Sequence, residues 1–169
     1  MFLSNLARSS LLGVIRGEYD ALDGYCAMGV GLDRCACACH PNDVAIETVN
    51  EFRSQSALPV LVPSPTLNDI ASAHAADMMR NGFVSHKGSD GSQLSNRVSD
   101  AGYQFCFVAQ NIEAHAASFE DALKKWDAYP PTRKILLHRK AREIGIAHVG
   151  DGIWVMVLAR PGCDYMASL

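Results

Sequence analysis

The segment "IWVMVLA", residues 153–159, limits the fold more than any other stretch of the chain. It is apolar throughout and lacks the polar alternation of a half-exposed strand. It is too short for an ordinary helix and rich in Ile, Val and Trp, so it reads as a strand. A strand that is apolar on both faces has to be covered on both. "EIGIAHV" and the turn "GDG" come just before it, and the two runs together read as a β-hairpin. The chain therefore needs one sheet with helices on each side.

Helical patterns of the right kind stand upstream. Asn42 or Asp43 can cap a first helix that runs to about Ser56, with Ala45, Val49 and Phe52 inward. Thr66 and Asp69 make a capping-box-like start for a second. There Leu67, Ile70, Ala71, His74 and Met78 share one face, and Asn81-Gly82 ends it. Leu94 and Val98 mark a short third helix closed by Gly102. Ser118 and Asp121 cap a fourth with Phe119, Ala122, Leu123 and Trp126 inward. "LPVLVPSP" is extended and broken by prolines, and "YPPTRKILL" is a Pro-broken turn with a short helix. Residues 103–113 read as a further strand, with Tyr103, Phe105, Phe107 and Ala109 on one face and Cys106, Val108, Gln110 and Ile112 on the other. The expected class is α+β: a three-layer α-β-α sandwich with a three-stranded antiparallel sheet over residues 41–169. An irregular Cys-rich arm, residues 1–40, precedes it.

Charge and cysteine usage narrow the function. The net charge is −3, which gives no reason to expect nucleic acid. The cluster Arg133, Lys134, His138, Arg139, Lys140 and Arg142 reads as a solvated face. No apolar run approaches the roughly 20 residues needed for a membrane span. Leu11–Ile15 is too short for a signal h-region and is followed at once by Arg16, Glu18 and Asp20, so no leader is expected. Cys35, Cys37 and Cys39 alternate and face one way on an extended segment. With His40 or Cys26 they could hold zinc or an iron–sulfur cluster. Their spacing lacks the usual C-x₂₋₄-C knuckle, so disulfides or free thiols rank ahead of metal. Cys26, Cys106 and Cys163 are the disulfide candidates. His74 reads as a core histidine, and no spacing marks His115, His138 or His148 as metal ligands.

The order of motifs across residues 44–161 resembles the bacterial branch of the CAP superfamily (cysteine-rich secretory proteins, antigen 5, pathogenesis-related 1). The segments that carry the resemblance are "NEFRSQSALPVLVPSPTLNDIASAHAADMMRNGFVSH", "DGSQLSNRVSDAGY", "AQNIEA", "WDAYPPTRKILL" and "REIGIAHVGDGIWVMVLARP". The resemblance implies an α-β-α sandwich with an open cleft. In that cleft two histidines and two acidic residues often hold a divalent metal. It also implies mainly non-enzymatic roles in an extracellular or periplasmic setting. His86 matches the first cleft histidine. Gln110 stands where the family motif has Glu, Thr132 where it has His, and Tyr129 where some members carry the second acid. Asn111 keeps the motif's Asn. A neutral amide and a hydroxyl are poor replacements for zinc ligands, so the family metal site is expected to be lost. Gln110 is expected to pair with His86 or with backbone.

The expectation is thus a non-catalytic CAP-like binding or structural module without cofactor. It would engage a protein partner or its own copies through the arm, and could be part of a larger assembly such as a phage virion. The alternative is a secreted or periplasmic CAP protein with hydrolase-like or lipid-binding activity. That reading would use His86, with Glu113 or a partner's acid.

Overall fold

The computed structural model describes residues 41–150 and 152–162. Five helices and four strands follow one another in this order: α1 Pro41–Ser54, β1 Val62–Pro63, α2 Pro65–Asn81, α3 Leu94–Asp100, β2 Phe105–Glu113, α4 Phe119–Ala128, α5 Pro130–Leu136, β3 Glu143–Val149 and β4 Ile153–Pro161. The sheet order is β1-β3-β4-β2. The sheet is not the expected three-stranded antiparallel one. It is mixed and four-stranded, because Val62 and Pro63 run parallel to Glu143 and Ile144 at its edge. Proline has no N–H to give a ladder, which confines such a strand to an edge and keeps it short. Cys26, Cys35, Cys37, Cys39, His40 and Cys163 lie outside the described residues.

β4 is central, and every residue from Trp154 to Ala159 is buried. Its alternate side chains feed two cores. Trp154, Met156 and Leu158 pack with Ala45, Ile46 and Val49 of α1, with Trp126 of α4 and with Leu136 of α5. Val155, Val157 and Ala159 pack with Leu67, Ile70, Ala71, Ala75 and Met78 of α2. Helices therefore cover both faces of the sheet, as an all-apolar central strand demands.

Helix ends differ from the expected ones by a few residues, in ways that local chemistry explains. α2 starts at Pro65 behind Ser64, with proline in its first turn where a missing N–H is harmless. Gly82 ends it at φ +64 and donates its N–H to Met78 O. α3 is closed at its start by a reciprocal box between Gln93 and Asn96. In α4 the Ser118 hydroxyl accepts from Asp121 N, as its sequence suggests.

One register feature departs from simple alternation. Phe105 pairs with Pro161 but Phe107 pairs with Arg160, so β2 carries one extra residue, Cys106, in a bulge. Phe105 consequently packs on the α2 side and Phe107 on the side of α1, α4 and α5. The expectation that they share a face is corrected by that bulge. Cys106 is disulfide-bonded.

Helix α2 and the sheet come close together at Gly145. A Cβ there would sit 2.5 Å from Leu67 O and closer still to Leu67 C and Asn68 N, which are backbone atoms that cannot turn aside. Asn68 Oδ1 also accepts from Ile146 N at 2.8 Å, pinning the start of α2 to β3. Gly145→Ala is expected to destabilise the fold by at least about 3 kcal/mol, the upper end for overpacking. A urea unfolding midpoint within experimental error of the parent would refute this close approach.

Candidate functional site

The residues that the sequence places in a cleft separate into two groups, one on each side of the sheet. Gln110 and Asn111 are neighbours on β2, so their side chains leave opposite faces. Both are buried, Gln110 at 4% exposure and Asn111 at 0%.

On the α2 and α3 side, Gln110 Oε1 accepts from Arg97 Nη2 at 3.0 Å. The same Nη2 donates to His86 O at 3.2 Å. Arg97 Nη1 donates to Ser92 O at 3.0 Å and to the Ser92 hydroxyl at 3.3 Å. The amide of Gln110 thus meets a guanidinium, and His86 joins the network through its carbonyl, not its ring. The expected pairing of Gln110 with His86 or backbone is corrected accordingly. Arg97 Nε and Gln110 Nε2 have no hydrogen-bond partner among the described residues. The nearest acids, Asp90 and Asp77, raise the arginine's basicity from a distance, but burial outweighs them and lowers it. Their oxygens are taken up elsewhere: Asp77 by Ser89 and Asn81, Asp90 by Ser92 N.

Two imidazoles stand near this arginine. His74, on the inner face of α2, is 2% exposed, and its Nε2 lies 2.9 Å from Ser85 O. A carbonyl can only accept, so Nε2 is the donor and Nδ1 carries the lone pair when the ring is neutral. Burial lowers its pKa, and Arg97 lowers it further. His86 is exposed as a whole, and its pKa is lowered by burial of part of the ring and by Arg97. Both rings are therefore held toward the neutral form.

On the other side, Asn111 Nδ2 donates to Thr132 O at 3.0 Å. The Thr132 hydroxyl lies 2.7 Å from Trp126 O and 3.0 Å from Tyr129 O, closing the junction of α4 and α5. Tyr129 is 61% exposed and forms that junction. Thr132 and Gln110 belong to separate networks. Glu113, the possible replacement acid, faces α4 and pairs with Lys125 at 3.1 Å.

A divalent metal does not fit this arrangement. Of the matched positions only His86 offers a zinc donor. Gln110 already serves a guanidinium, and a fixed positive charge beside the site opposes a second. No group of three or more His, Cys, Asp or Glu that could hold a metal occurs among the described residues. The key residue, Arg97, lies inside a motif quoted for its resemblance, where the sequence pattern gives it no partner. Two members of the basic cluster are locally engaged: Arg133 pairs with Asp127 and lies over Phe52, and Arg142 Nη1 donates to Arg139 O and Ala141 O. Among the described residues no helix is long and apolar enough to cross a membrane.

The cysteine-rich secretory protein family model, CAP, matches residues 46–158. No curated protein matches the chain significantly. Among solved structures, an extracellular protein containing an SCP domain from Bacillus anthracis is 26% identical, with a TM-score of 0.68 over 71% of this chain and 40% of that one. An outer surface protein from Borrelia burgdorferi is 16% identical, with a TM-score of 0.66 over 70% of this chain and 91% of that one. A cysteine-rich secretory protein from Staphylococcus aureus is 19% identical, with a TM-score of 0.62 over 71% and 38%. The chain spans about two fifths of the Bacillus and Staphylococcus structures.

Two outcomes follow from the Arg97 network. Gln110→Glu should give the guanidinium a carboxylate and stabilise the fold by about 1–2 kcal/mol at neutral pH. A carboxylate so paired has a depressed pKa, so this gain is present above about pH 4.3 and is lost as pH falls through the folded value. Unchanged stability at pH 7 would show that Arg97 needs no counter-charge. For His74 the folded pKa is the lower one, so unfolding takes up a proton between that value and about 6.5. Stability is complete above about pH 6.5 and declines below it, with His86 and His138 acting in the same direction. Urea midpoints at pH 7.5 and pH 5.5 should therefore differ less in His74→Gln than in the parent.

Proposed function

The chain belongs to the cysteine-rich secretory protein family, and from that premise we propose that it is a non-catalytic binding or structural module whose family cleft has become a hydrogen-bonded strut. The observation that carries this reading is the Arg97 guanidinium bound to Gln110 Oε1 and His86 O. That bond engages the amide oxygen at the position where the family motif carries a carboxylate. A general base needs an orienting partner within hydrogen-bond reach of its ring. The His86 ring has no such partner among the described residues, and Glu113 is engaged with Lys125 on the opposite face. What remains is a rigid scaffold with intact cores, suited to presenting surface to another macromolecule. Relatives described as extracellular, outer-surface or secretory support an extracellular setting for the module. Membership of a larger assembly, a virion among them, is part of the same reading.

The test has two arms. Zinc added to the full chain should leave the ring resonances of His74 and His86 unmoved, a site-resolved readout that cysteines elsewhere do not affect. A screen of ester, peptide and phosphoester substrates should show no turnover that disappears in His86→Ala. Turnover that depends on His86 would overturn the proposal.

A further inference from the structure

Away from the Gln110 network, the segment that joins α1 to β1 runs beside the connection from α5 to β3. Buried Arg53 stitches the two together. Its Nη1 donates to Leu136 O at 2.6 Å and to His138 O at 3.4 Å, while its Nε and Nη2 reach Pro59 O at 3.4 and 3.3 Å. Further along, Val62 N donates to Arg142 O at 2.9 Å. Leu61 is turned inward, and Asn50 clamps its backbone: Leu61 N donates to Asn50 Oδ1 at 2.8 Å, and Asn50 Nδ2 donates to Leu61 O at 3.0 Å. Alternation along this extended stretch leaves Val60 and Val62 outward, at 66% and 58% exposure. Two apolar side chains are thus held facing water on a backbone that is fixed from beneath.

The other side of the same seam carries positive charge. Lys134, Arg139, Lys140 and Arg142 are exposed, and among the described residues no carboxylate forms an ion pair with any of them. The His138 ring between them lies flat on Phe107, with centroids 3.8 Å apart and planes at 5°. Burial lowers its pKa, and Lys140, Lys134 and Arg53 lower it further, so three cations act on one ring. Burial and then Arg142 lower that of Arg53. The chain as a whole has a net charge of −3, so this concentration of positive charge is local.

We propose that this seam, Val60 and Val62 beside Lys134, Arg139, Lys140 and Arg142, is a docking surface for an acidic protein partner. A protein patch with carboxylates next to an apolar centre matches both features, because interface cores are apolar and charges of opposite sign steer the encounter. A phosphodiester backbone satisfies the cations but has nothing apolar to lay against the valines. Membrane-surface sites set Trp, Phe or Leu beside their cations, and here the exposed apolar residues are valines. The proposal rests on the reading of the chain as a binding module and gives that module the chemistry of its partner.

The experiment measures binding of the full chain to a fluorescent random copolymer of glutamate and tyrosine, with poly-L-glutamate, duplex DNA and phosphatidylglycerol vesicles alongside. The copolymer should bind more tightly than poly-L-glutamate. Both should weaken as salt shortens the screening length from about 10 Å at 0.1 M to about 3 Å at 1 M. Arg139→Glu with Lys140→Glu should weaken both by about tenfold, because attraction becomes repulsion. Val60→Ser with Val62→Ser should bring the copolymer down to the level of poly-L-glutamate, whose own binding stays unchanged. These positions are exposed, so urea midpoints should match the parent. A pair that unfolds is replaced by its milder form, Arg139→Gln with Lys140→Gln or Val60→Thr with Val62→Thr, and read in the same way. Copolymer binding that survives the charge changes, or that never exceeds poly-L-glutamate, would overturn the surface. So would tighter binding of DNA or vesicles that the same variants abolish, or self-association of the parent that they abolish, since another occupant would then hold the seam. Turnover that depends on His86 would end the non-catalytic reading and leave every one of these measurements as it is.

Discussion

β4 has to be covered in every direction, and the remaining elements are arranged to do it. Its backbone is paired with β3 on one edge and β2 on the other, and its side chains are buried above and below the sheet. A strand in that position cannot tolerate a missing layer, because uncovered apolar surface costs about 25 cal/mol per Å². α2 supplies one layer and α1, α4 and α5 the other. The close seating of α2 depends in turn on Gly145, which lets backbone meet backbone. The site residues inherit their positions from this packing. β2 is the outer neighbour of β4, and its two amides are directed into the two layers that β4 requires.

Two arginines tie neighbouring segments together through neutral acceptors. Arg53 is fully buried, yet among the described residues it makes no hydrogen bond to a carboxylate; it donates to Leu136 O at 2.6 Å and reaches Pro59 O and His138 O. Arg97 joins Ser92, His86 and Gln110 in the same manner. A guanidinium has five donors in a rigid plane, so it can satisfy several carbonyls at once. In both places neutral acceptors do the work of a counter-ion. Such a group ties the segments around it together without offering a carboxylate to a metal or a substrate.

Much of this was legible in the sequence, for physical reasons that can be named. The central strand was visible because complete burial leaves an unbroken apolar run. The helices showed through their inner stripes and caps, Ser118 with Asp121 among them. β1 was not visible, because two residues that include a proline carry no period; only the pairing with Glu143 and Ile144 makes them a strand. The charge-neutral character of the Gln110 position could be read from residue type. Its partner could not, since Arg97 meets Gln110 only after α3 folds against β2.

The bulge at Cys106 acts as a parity switch in the chain. Upstream of it, odd-numbered β2 residues such as Phe105 belong to the α2 layer; downstream, odd-numbered ones such as Phe107 belong to the other. Which amide meets Arg97 and which meets Thr132 is therefore settled by the count of residues after the bulge. A relative that lacked the extra residue could keep the same motif and the same pairing beyond it while presenting the opposite face before it. Gap placement through this segment consequently carries three-dimensional meaning: a one-residue shift exchanges inside for inside, from one core to the other, with no change in hydrophobicity to reveal it.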